Sequence, residues 1–100
     1  MQTLHCRHFW GIEDMKLSTD CVILIATDKL IVNNKYEFLY NRIVRYETFK
    51  DDGVEHFKFY YLDEYDLENE IDFIFTRDNI KQQRNRHKII REIKKLSVGR

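Results

Sequence analysis

Apolar and polar residues alternate in short stretches through the first three quarters of the chain, and only near its end does the spacing become helical. Residues 4–10 place Leu4, Cys6, His8 and Trp10 on one side of an extended segment and His5, Arg7 and Phe9 on the other. Gly11 interrupts that pattern, and a polar stretch runs on to Asp20. Residues 21–26 form a continuous apolar run, which predicts a strand covered on both faces. Thr27-Asp28 turns the chain into a third strand over 29–32, and Asn33-Asn34 marks the next turn because Asn tolerates left-handed backbone. Over 36–40, Tyr36, Phe38 and Tyr40 alternate with Glu37 and Leu39, and a fifth strand is predicted over 43–49. Asp52-Gly53 is the strongest hairpin signal, since a two-residue type I′ turn needs positive φ at both positions. The returning strand, 55–61, sets Phe57, Phe59 and Tyr61 against His56, Lys58 and Tyr60. After an acidic connection, the last strand, 71–75, turns Ile71, Phe73 and Phe75 inward.

The period then changes. Ile80, His87, Ile90, Ile93 and Leu96 fall on one stripe, which predicts a helix over 79–96, roughly 27 Å long. Asp78 suits its N-cap, and 97–100 reads as a frayed tail. Strands followed by one terminal helix predict a mainly β, α+β domain. The expectation is a seven-stranded antiparallel barrel or sandwich with the helix packed against one end or face.

One hundred residues make a single domain, 1–100, and an apolar fraction of 43% gives it a core without staples. The formal charge of zero conceals a division: residues 77–100 carry nine Lys/Arg and two Asp/Glu, net +7, and residues 1–76 carry eight and fifteen, net −7. The first residues lack the basic and apolar pattern of a signal peptide, and the longest apolar run is far short of a membrane span. Cys6 and Cys21 read as free thiols, so the expected compartment is cytoplasmic.

Three stretches carry a family resemblance. Thr27-Asp28-Lys29-Leu30-Ile31-Val32 resembles the second-to-third-strand hairpin of bacterial pleckstrin-homology-like and GRAM-type domains. Asn41-Arg42-Ile43-Val44-Arg45-Tyr46-Glu47 resembles the phrase where the second half of their sheet begins, and residues 8–12 resemble the His/Gly opening of some members. The element order, seven strands and a helix, is that of the superfold. Two departures matter. The loop over 11–20 sets Glu13, Asp14 and Asp20 against Lys16 alone, which opposes binding of a phosphoinositide headgroup, and the terminal helix lacks the tryptophan usual there.

Candidate chemistry is sparse. Cys6 and His8 share a face and Cys21 or His56 could approach them, but no C-x-x-C spacing supports zinc, so no metal or cofactor is expected. The acidic run Asp63, Glu64, Asp66, Glu68, Glu70 and Asp72 has no central glycine for calcium and reads as a solvated loop able to dock a basic partner. No nucleophile motif or phosphate-cradling loop occurs, which argues against an enzyme and against a small-molecule substrate. Phe9, Trp10, Tyr36, Tyr40, Tyr46, Tyr60 and Tyr61 are too many for one face of a small sheet, so some are expected outside as contact anchors near arginine. Lys81, Arg84, Arg86, Lys88, Arg91, Lys94 and Lys95 surround the apolar stripe of the helix. The expected binding residues are Trp10, Tyr40, Arg42, Arg45, Tyr60, Arg84, Arg91 and Lys95. The expected function is a non-catalytic module that binds another protein or a second copy of itself. The alternative is docking of the basic helix on anionic membrane or nucleic acid.

Overall fold

The computed structural model describes residues 2–75 and 80–97. The expected N-cap at Asp78, the side chain of Ile80 and residues 98–100 lie outside that description. Seven antiparallel strands form one sheet: β1 (Gln2–Trp10), β2 (Asp20–Ile25), β3 (Lys29–Val32), β4 (Tyr36–Leu39), β5 (Ile43–Asp51), β6 (Val54–Leu62) and β7 (Glu68–Ile74). A 3-10 turn, Tyr40–Arg42, joins β4 to β5, and the chain closes with α1 (Ile80–Ser97). The order across the sheet is β4-β3-β2-β1-β7-β6-β5.

The turns follow their residues. Asn33 and Asn34 take φ of 52° and 55°, and Asn33 Oδ1 accepts the Val22 amide at 2.9 Å, tying the turn back to β2. Asp52 and Gly53 take φ of 54° and 77°, as a type I′ turn requires.

The expected barrel does not close. β4 and β5 are the two edges of the sheet, and the short turn between them leaves no length for a ladder. The two halves instead fold over one another through side chains: the Phe38 ring on β4 meets Phe59 and Tyr61 on β6 at 5.2 and 5.1 Å. Tyr40 seals this corner, its hydroxyl donating to the Ala26 carbonyl at 2.7 Å. The core gathers Leu4, Ile23, Leu30, Phe57, Phe59 and Phe73 under Ile89, Ile90 and Ile93 of α1. β2 is buried only at Cys21, Ile23 and Ile25. Val22 is exposed and Leu24 half-buried, so the continuous apolar run covers one face rather than two.

The buried stripe of α1 differs from the expected one by part of a turn. His87 is exposed, while Arg86, Ile89, Ile90 and Ile93 are buried. What turns the helix is charge. Arg86 donates to Glu55 Oε2 at 2.7 Å and lies over the Phe75 ring at 4.3 Å, and His87 Nε2 contacts Glu55 Oε1 at 2.7 Å. Ser97, expected in the tail, belongs to the helix, and its hydroxyl meets the Tyr46 hydroxyl at 2.6 Å.

Burial alone raises the Glu55 carboxyl pKa, but hydrogen bonds and charge from Arg86 and His87 outweigh it and hold the group below its ordinary 4.5. The folded state therefore gains from this carboxylate above about pH 4.5 and loses that gain as pH falls through the lowered value. Glu55→Gln leaves Arg86 buried without its counter-charge and is expected to cost about 3 kcal/mol at pH 7. It should also flatten the acid limb of the stability curve, both effects being read from urea unfolding between pH 3 and 7.

Candidate functional site

The end of β1 departs from simple alternation. His8 pairs with Phe73 and Trp10 with Asp72, so the register shifts by one residue through Phe9. This bulge moves Trp10 off the core-facing side shared by Leu4, Cys6 and His8, where the sequence pattern places it, and leaves it 65% exposed. Gly11 follows at φ +108°, and a Cβ there would lie 2.1 Å from the Glu70 carbonyl oxygen, so the chain passes β7 at a distance only glycine permits.

His8 shapes the loop that follows. Its Nε2 accepts the Ile12 amide at 3.1 Å, which leaves Nδ1–H to donate to the Lys16 carbonyl at 3.2 Å. Its own backbone bonds Thr19 and Ser18. Buried His8 is thus a loop anchor. The loop folds back to form a groove of about 670 Å³ with Trp10, Phe9, Met15 and Leu17 on its apolar walls and Glu13 and Glu70 at its rim. Phe9 is 40% and Leu17 64% exposed, so the groove offers three large apolar side chains to solvent.

A second cluster lies on the outer face of β5, β6 and β7. The Arg45 guanidinium stacks on the Tyr60 ring at 3.8 Å and pairs with Glu68 at 3.1 Å, bringing two expected site residues together. Tyr60 is nonetheless buried beneath Arg45 and Lys58, and its hydroxyl donates to Glu47 at 3.3 Å. Alongside, His56 is buried against Asp72 at 3.0 Å, between the rings of Phe49 and Phe9. Burial pushes the Asp72 carboxyl up, and His56 pulls it back. His56 therefore sits on the face of the sheet opposite Cys6 and His8 and does not approach them. Among the described residues no group of three or more His, Cys, Asp and Glu is gathered for a metal ion.

The other expected site residues separate. Tyr40 is 1% exposed and its hydroxyl is engaged inside, so its place as a binding residue is corrected to a core position. The β-pattern put Tyr40 on the right face but could not show that the 3-10 turn folds it under. Arg42 clamps the β6–β7 loop, its guanidinium donating to the Leu62 and Asp63 carbonyls and to Asp66 Oδ1 at 2.8 Å. Much of the acidic run is likewise engaged within the fold. Asp63 accepts the Tyr65 and Leu67 amides and the Asn69 side chain, and hydrogen bonds led by Asn69 hold its carboxyl low. Arg84, Arg91 and Lys95 are exposed along the outer side of α1. Sequence reasoning missed Leu17, whose signal was a lone large apolar residue in a polar loop, and Glu13 and Glu70, which carry no local signal.

Among the described residues no helix is long and apolar enough to cross a membrane. Trp10→Ala is expected to change stability by less than about 0.5 kcal/mol, as for an exposed side chain. Tyr40→Phe, losing one buried hydrogen bond, is expected to cost about 1 kcal/mol. Thermal and urea unfolding of the two variants checks the contrast. No family model matches the chain, and no curated protein and no solved structure matches it either.

Proposed function

We propose that this chain is a non-catalytic protein-interaction module of pleckstrin-homology-like fold that holds a partner protein in the groove at Trp10. The observation that carries the reading is the groove itself: Trp10, Phe9 and Leu17 stand exposed together, rimmed by Glu13 and Glu70, on a loop made rigid by His8 and Gly11. Clustered exposed aromatic and aliphatic side chains with a polar rim are the usual anatomy of a contact hot spot. The carboxylates at the rim favour a partner that presents an apolar side chain flanked by Lys or Arg. The family reading is supported by the seven strands and terminal helix in that order, and by the Asn33-Asn34 and Asp52-Gly53 turns. The compartment we propose is cytoplasmic. Cys6 and Cys21 stand opposite each other in the β1–β2 ladder as free thiols, which suits a reducing environment.

The test is capture by the tagged chain from a nuclease-treated lysate, followed by titration of the captured protein against Trp10, the only tryptophan. A blue shift of Trp10 emission on binding is expected, with at least tenfold weaker binding by Leu17→Asp and Trp10→Ala at unchanged melting temperature. A partner bound equally well by both variants, with Trp10 emission unmoved in the wild type, contradicts the assignment.

A further inference from the structure

β5 is an edge strand, and among the described residues no strand lies on its outer side. The pair that closes the Asp52-Gly53 turn is Asp51 with Val54, and bonded pairs alternate from there, so Phe49 and Glu47 bond to β6. The N–H and C=O groups of Tyr46, Thr48 and Lys50 therefore point away from the sheet. Open edges are usually blunted by bulges, lysine or proline. β5 carries its bulge only at the start, between Ile43 and Arg45, and Lys50 only near the other end. The stretch between is unguarded.

α1 runs beside this edge. Tyr46 meets Ser97, and Glu55, which lies opposite Lys50 in the ladder, meets Arg86 and His87. From Tyr46 to Lys50 is ~13 Å of strand, matched by ~15 Å of helix from Ser97 back to His87, so helix and strand lie antiparallel. Between them is a groove of about 590 Å³, with Thr48 on one wall, Arg84, Lys88, Arg91 and Lys94 on the other, and Ile90 also lining it. No carboxylate lines it, and among the described residues no ion pair engages those four cations. His87, at its margin, is held by Glu55.

We propose that this groove takes an acidic, extended segment of a partner protein, which adds to the sheet as an eighth strand beside β5 while its carboxylates lie against Arg84, Lys88, Arg91 and Lys94. Main-chain pairing supplies affinity in such strand addition, and side chains on alternate residues supply selectivity. The cations rise along the helix in steps of about 4.5 to 6 Å. That approaches the ~6.7 Å repeat of same-face residues in a strand, so one acidic face can meet several of them. A nucleic acid or a lipid headgroup offers anions to the cations but no row of N–H groups for the carbonyls of Tyr46, Thr48 and Lys50. An extended peptide satisfies both walls. This groove shares no residue with the one at Trp10, so the two assignments fail or stand separately.

The test uses the full chain and a fluorescein-labelled decapeptide of alternating Glu and Val, followed by fluorescence anisotropy. The controls are the same peptide N-methylated at alternate residues in either register, its Lys-Val counterpart, a dT20 oligonucleotide and phosphatidylserine vesicles. The Glu-Val peptide should bind, and the weaker of its two N-methylated forms should bind at least tenfold less tightly. The double variant Lys88→Glu/Arg91→Glu should lose at least tenfold, and exchange of the Tyr46, Thr48 and Lys50 amides should slow at least tenfold on binding. Trp10→Ala should leave all of this unchanged. Thr48→Pro should abolish binding while keeping the fold, because proline is tolerated where an edge N–H faces solvent. Should that variant not fold, the N-methylated peptides decide the question alone. Absence of peptide binding, equal binding of both N-methylated forms, or tighter binding of dT20 or the vesicles than of the peptide overturns the proposal.

Discussion

The arrangement of this molecule depends on one buried charge pair. Arg86 carries its guanidinium into the interior of a small domain, a costly step unless the charge is matched, and Glu55 matches it at 2.7 Å while Phe75 receives the planar face. Because Glu55 also engages His87, two successive helix residues are tied to one carboxylate at the start of β6. That contact sets the rotation of α1 about its axis, which decides that Ile89, Ile90 and Ile93 close the core and that Arg84, Lys88 and Arg91 face outward. Hydrophobic burial would hold the helix on the sheet in several rotations. The ion pair selects one of them.

A constraint of a different kind governs the other end of the sheet. Gly11 passes so near β7 that no side chain fits, and the register shift at Phe9 just before it turns Trp10 outward. His8 then bonds both sides of the returning loop. A surface that would otherwise be a floppy hairpin becomes a fixed groove, and a fixed groove loses less conformational entropy on binding. The division of charge follows the same geography. Carboxylates rim the groove at Trp10, cations line the groove beside β5, and the sheet keeps the two surfaces apart.

Much of the fold is legible in the sequence because its signals are local. Alternation in Phe57, Phe59 and Tyr61, the Asp52-Gly53 turn and the isoleucines of the last segment each need only a few neighbouring residues to be read. What escapes is whatever depends on partners distant in sequence. Trp10 follows the alternation of Leu4, Cys6 and His8 until a bulge, defined only by pairing with Asp72 and Phe73, reverses it. Arg86 looks like a surface charge until Glu55, thirty-one residues earlier, is placed beside it. The Ile89-Ile90 doublet was the one local hint that the stripe passes between His87 and Ile90 rather than through both. Tyr60 likewise reads as an exposed anchor, because the cover it receives from Arg45 and Lys58 comes from across a strand pair and from its own strand's next position on that face. The candidate surfaces were legible in their chemistry, aromatic and basic, but not in their membership.

The central claim is that the sheet is the frame and the helix a part clamped onto it through Glu55, in the one rotation that opens a cationic groove beside β5. Amide hydrogen exchange resolved by residue, wild type against Glu55→Gln at pH 7, tests it most directly. Protection should fall selectively over α1 and the Tyr46 contact, by at least tenfold, while β1, β6 and β7 keep theirs. Uniform loss across sheet and helix, or a helix as protected in the variant as in the wild type, would contradict the claim.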